Sequence, residues 1–104
     1  MKILNAFSFN MIGSYPVSVN AEEVDVVTVR ELIGSNAESA VGHADTAAVF
    51  ADVLGISVPC ARVNVSLEKG DVVIVGQYSG PRLPEGASKL PTGAIIKWLK
   101  VSVS

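Results

Sequence analysis

Short runs rich in valine and isoleucine recur along this chain, and one stretch departs from them with a clear helical spacing. β-Branched residues pack well on a pleated, half-buried surface, so such runs read as strands. Lys2 to Phe7, Val17 to Asn20, Val26 to Ile33, Ala61 to Leu67, Val72 to Val75 and Ala94 to Val103 are the candidates. In the fourth, Val63, Val65 and Leu67 alternate with Arg62, Asn64 and Ser66. The turn Glu68-Lys69-Gly70-Asp71 then predicts a β-hairpin with Val72 to Val75. Asp45 to Leu54 is different, because Val49, Phe50, Val53 and Leu54 fall on one helical face. Asp45 or Thr46 suits its start, which leaves His43 just outside, and Gly55 suits its end. Ala21 to Val24 reads as a helical turn or bend, and Ser8 to Tyr15 and Gly34 to Ala40 as loops. The expectation is an α+β fold: a small mixed β-sheet of about five or six strands, one main helix over 45–54 and a long functional loop over 77–91.

The 104 residues predict a single domain over 1–104, and 49% apolar against 17% charged residues makes it a globular one. A net charge of −2 provides no field for long nucleic acid, whereas a small anion needs only a local patch. Cys60 is the one cysteine and His43 the one histidine, so neither a disulfide framework nor an all-protein zinc site is expected. No metal and no cofactor is predicted, and Cys60, after Pro59, reads as a small buried hydrophobe. The sequence shows no run near the ~20 apolar residues of a membrane span and no signal-peptide pattern. These features predict a cytoplasmic protein with no membrane partner.

Three segments carry polar groups in unusual settings. His43 lies at the start of the predicted helix, where free backbone N–H groups favour anions, and histidine exchanges protons near neutral pH. Asn5, Ser8 and Asn10 are interleaved with Phe7, Phe9 and Met11, a pattern that serves either as turn hydrogen bonding or as the polar rim of a ligand site. Arg82 and Glu85 sit on the predicted long loop, either as a solvated ion pair or as a phosphate fork with a nearby carboxylate. No G-x-S-x-G elbow and no Walker-type phosphate loop occurs. One histidine, one arginine, one carboxylate and several neutral hydrogen bonders together suit metal-independent cleavage of an RNA phosphodiester. There the ribose 2′-OH attacks its own phosphate, and the protein stabilises charge and protonates the departing 5′ oxygen.

Asn5-Ala6-Phe7-Ser8-x-Asn10-Met11, Gly42-His43-x-x-Thr46, Arg62-Val63-x-Val65 and Arg82-Leu83-x-Glu85-Gly86 occur in that order. Together they resemble the viral type III anti-CRISPR ring nucleases, formerly a domain of unknown function, with relatives in bacteria and mobile elements. The resemblance implies a homodimer that degrades cyclic tetra-adenylate, bound at the two-fold interface, to linear di-adenylates ending in a 2′,3′-cyclic phosphate. It implies His43 as general acid, Arg82 on the scissile phosphate, and Glu85 beside His43 or the ribose. Asn5, Ser8 and Asn10 would bind ribose and phosphate. The family's glutamine, four residues before its arginine, falls on Tyr78 here, with Gln77 one residue earlier as the remaining ligand-binding candidate. The segment Lys89 to Gly93 is shorter than the helical segment of archaeal viral members. Beside this reading stand a dimeric module that binds and sequesters a cyclic oligonucleotide without cleaving it, and a structural or interaction domain of a phage or mobile element.

Overall fold

Strand β4, Val72–Ser79, lies at the middle of the sheet and decides what the rest of the chain can pair with. Its near-continuous apolar run suits a strand covered on both faces. In the computed structural model, which describes residues 1–34 and 37–104, five strands form one sheet. The others are β1 (Lys2–Leu4), β2 (Val19–Val24), β3 (Glu38–Ala40) and β5 (Ile95–Val103), in the spatial order β2-β5-β4-β1-β3. β1 runs parallel to both β3 and β4, whereas β5 is antiparallel to β4 and β2. The sheet is therefore mixed, as expected for this α+β chain.

Among the described residues two α-helices accompany it: α1 (Val26–Ile33) and α2 (Ala44–Leu54), the main one. Both pack on the same sheet face. Val29 and Ile33 of α1 join Ala47, Phe50 and Leu54 of α2 over Ile3, Ile74 and Trp98. The Phe50 and Trp98 rings meet edge to face with centroids 4.8 Å apart. Arg30 of α1 donates through Nε to the Leu54 carbonyl, which satisfies one of the orphan acceptors at the end of α2. The opposite sheet face, with Leu4, Val73, Val75, Val101 and Val103, is closed by irregular chain through Ile12 and Leu67.

Several expectations are corrected. Val26 to Ile33 is a helix, not a strand: the Asp25 side chain accepts from the Thr28 N–H at 2.8 Å and caps it, and Val26, Val29 and Ile33 recur at helical spacing. Ala21 to Val24 continues β2 and pairs with Trp98 to Val101, with Glu22 opposite Lys100. Ala61 to Leu67 forms no strand of a hairpin. Both edges of β4 are taken, one by β1 and one by β5, so the alternating segment cannot pair with β4 as a hairpin. It is held by single backbone bonds, Ala61 N–H to Val41 and Leu67 N–H to Met11. β1 stops at Leu4, short of Phe7, and β4 extends to Ser79, into the expected 77–91 loop. Glu38–Ala40 is β3 rather than loop, and positions 35 and 36 of that expected loop lie outside the described residues. Cys60 is exposed rather than buried, because its segment runs over the surface. Among the described residues, no helix is long and apolar enough to cross a membrane.

Candidate functional site

The parallel strands β1, β3 and β4 all point their carboxyl ends the same way, and the chain leaving each end carries a candidate residue. Asn5 follows Leu4 of β1, His43 follows Ala40 of β3 by three residues, and Arg82 follows Ser79 of β4 by three. Crevices at the carboxyl ends of parallel strands are where open sheets with helical crossovers bind ligands.

Three contiguous hollows occupy this end. One, of about 530 Å³, is lined by His43, Asp45, Thr46, Tyr78, Gly80, Arg82 and Leu83. The second, about 570 Å³, joins it at His43 and brings in Asn5, Gly42, Arg62 and Asn64. The third, about 390 Å³, joins the second at Asn5 and Asn64 and adds Ser8 and Asn10. His43 is thus the hinge between a wall with Arg82 and a wall of small polar groups. Another hollow, of about 680 Å³ beside Trp98 and Asp25, lies among other residues.

His43 is the N-cap residue of α2, with extended backbone (φ −122°, ψ 128°), and its side chain makes no capping bond. Its exposed imidazole is left facing the hollows, while its carbonyl accepts from Ala47 N–H at 2.9 Å. Asp45, expected as a cap, instead accepts from the Gly86 N–H at 3.0 Å. The Ser8 hydroxyl oxygen accepts from the Asn10 N–H at 3.2 Å and caps a 3-10 turn over Phe9–Met11. Ser8 therefore performs the turn chemistry and lines the hollow as well.

Two residues stand apart. Glu85 is exposed on the loop and lines none of the three hollows. Gln77 is exposed on β4 opposite Lys97 and is likewise absent from them, whereas Tyr78, on the other face of the strand, lines the His43–Arg82 hollow. Tyr78 also donates from its hydroxyl to the Pro81 carbonyl, which fixes the chain leading into Arg82. Sequence reasoning passed over Arg62 as a site residue. Its Nε donates to the Gly42 carbonyl at 2.9 Å, and Arg62 lines the hollow shared by Asn5 and His43. An arginine inside an otherwise apolar-alternating run was the available signal.

The family model for STIV B116-like proteins matches residues 1–96. The chain belongs to the STIV B116-like family. Among solved structures, it is similar to B116 of Sulfolobus turreted icosahedral virus, at 24% identity. That match covers 98% of this chain and 99% of B116 with a TM-score of 0.73, so the two share a fold. No sequence relative was found among curated proteins. The B116-like fold thus places the hollows at the carboxyl ends of three parallel strands in a chain of nearly the same extent as the viral protein.

Proposed function

We propose that this B116-like protein is a metal-independent ring nuclease that cleaves cyclic tetra-adenylate and thereby switches off type III CRISPR signalling in the cell that makes the messenger. The observation that carries the reading is the meeting of His43 and Arg82 on one hollow, continuous through His43 with the polar wall of Asn5, Ser8, Asn10 and Asn64. Histidine supplies a proton near neutral pH, arginine a planar fork for phosphate oxygens, and the wall hydrogen bonds for ribose.

In the proposed reaction a ribose 2′ oxygen attacks the adjacent phosphorus and loses its proton to solvent. Arg82 stabilises charge on the phosphate oxygens, and His43 protonates the leaving 5′ oxygen as its bond to phosphorus breaks. The products carry a 2′,3′-cyclic phosphate and a 5′-hydroxyl. Two such cuts on opposite sides of the ring leave two linear di-adenylates. A homodimer with an isologous interface provides two copies of each group for them. Phe9 and Val63, 61% and 57% exposed beside the hollows, are the apolar surface such a partner would cover. Glu85 and Gln77 line none of these hollows and carry no step of the reaction.

The test is incubation of the protein with cyclic tetra-adenylate in EDTA, with products followed by mass spectrometry. Di-adenylates from the wild type, and their loss by about 10²–10⁴-fold in rate for His43→Ala with binding retained, are expected. Equal turnover by His43→Ala would remove the general-acid role. Tight retention of uncut ring by the wild type would replace cleavage by sequestration.

A further inference from the structure

Asp45 sits in the first turn of α2, two residues after His43, where a carboxylate ordinarily serves the free N–H groups of its own helix. Here its Oδ1 accepts from the Gly86 N–H at 3.0 Å, across 41 residues of sequence. A negative charge in a hollow read as a phosphate site opposes the ligand, so its presence beside Arg82 calls for a structural use. The bond to Gly86 is that use. Gly86 adopts φ +80°, a backbone conformation that side chains rarely allow. Arg82 and Glu85 precede it on the same loop. A second polar link between this loop and α2 is the Lys89–Asp52 ion pair at 3.6 Å, with side chains 81% and 46% exposed, and a pair so solvated holds little. The Asp45–Gly86 bond is exposed too, but a carboxylate accepting a backbone N–H is stronger than a neutral hydrogen bond.

We propose that Asp45 is a positioning residue whose carboxylate straps the loop to α2 at Gly86 and so sets Arg82 against His43. The strap stands on this geometry, and its consequence for turnover rests on the ring-nuclease reading. Acid–base participation by Asp45 would be lost on replacement by asparagine, whereas a strap needs only the acceptor oxygen, which asparagine keeps.

The experiment compares the wild type, Asp45→Ala and Asp45→Asn by amide exchange at Gly86, by exchange in β4 and β5, and by cleavage of cyclic tetra-adenylate. Asp45→Ala is expected to speed exchange at Gly86 with β4 and β5 unchanged. Its kcat falls about 10- to 100-fold, the scale of a small misplacement of reacting groups. Asp45→Asn, which keeps a weaker neutral acceptor, is expected to recover most of both, with KM equal or lower because a repelling charge is gone. Unchanged exchange at Gly86 in Asp45→Ala would overturn the strap. Faster exchange with wild-type kcat would overturn its positioning role, as would failure of Asp45→Asn to restore kcat. If the wild type does not cleave the ring, the ring-nuclease reading fails, and exchange at Gly86 alone decides the strap.

Discussion

The Nε of Arg62 donates to the Gly42 carbonyl at 2.9 Å, which ties the extended segment over 61–67 to the residue just before His43. The same side chain lines the hollow shared by Asn5 and His43. One arginine thus ties down the approach to α2, and in the ring-nuclease reading its remaining N–H donors serve the ligand's phosphate. Arg62→Ala is expected to weaken binding of cyclic tetra-adenylate by about tenfold to a hundredfold, the range for one charged hydrogen bond. Arg62→Lys, which keeps the charge without the fork, is expected to recover part of it. Titration calorimetry with the uncut ligand on a His43→Ala background measures both, and full affinity in Arg62→Ala would refute the contact.

Gly76 shows how tightly the helix-bearing face is packed. A Cβ there would lie 2.6 Å from the Phe50 ring and 2.7 Å from Trp98. Both rings are buried in the core, so neither can swing out to make room. Gly76→Ala is expected to destabilise the fold by about 1–3 kcal/mol, with denaturant melting as the readout. A midpoint equal to the wild type's would show that the Phe50–Trp98 pair is freer than its geometry implies.

Asp25 gives the fold an acid-sensitive point. Its carboxyl is held below its ordinary value of 3.8, chiefly by the backbone N–H of Thr28 and then by the Thr28 side chain. A depressed folded-state pKa means that the unfolded chain binds the proton more readily. The stabilisation is therefore present above the ordinary value and is lost as pH falls through the lower folded value. Asn caps a helix without titrating in this range. Melting temperature measured as pH falls from above 3.8 to well below it is expected to drop less steeply for Asp25→Asn than for the wild type. Parallel curves would place the acid sensitivity elsewhere.

The sequence patterns were legible where local chemistry and tertiary demand agreed. The α2 stripe of Val49, Phe50, Val53 and Leu54 appears as a helix because its apolar face is also the face the sheet needs covered. Val26 to Ile33 misled because valine and isoleucine favour strands in isolation. The Asp25 cap and the shared face of Val26, Val29 and Ile33 outweighed that preference once the sheet offered a surface for a helix. Alternation in 61–67 misled for a different reason: a hairpin with β4 needs a free edge of β4, and β1 and β5 had occupied both.

The candidate site divides along the same line. His43, Arg82 and the Asn5–Ser8–Asn10 cluster, singled out by residue type and order, come together on contiguous hollows, since proton exchange, phosphate recognition and neutral hydrogen bonding belong to the side chains themselves. Arg62 and Asp45 were not so singled out, because their use depends on partners 20 and 41 residues away in the chain. The sequence by itself determined the α+β character, the main helix and the chemistry available at the site. Only the tertiary structure decided that the carboxyl ends of β1, β3 and β4 converge, that Tyr78 and not Gln77 faces His43 across the hollow, and that Glu85 lies outside it. The physical reason is that side-chain chemistry and helical or strand periodicity are local, whereas strand order and register are set by which edges and apolar faces remain open when distant segments meet.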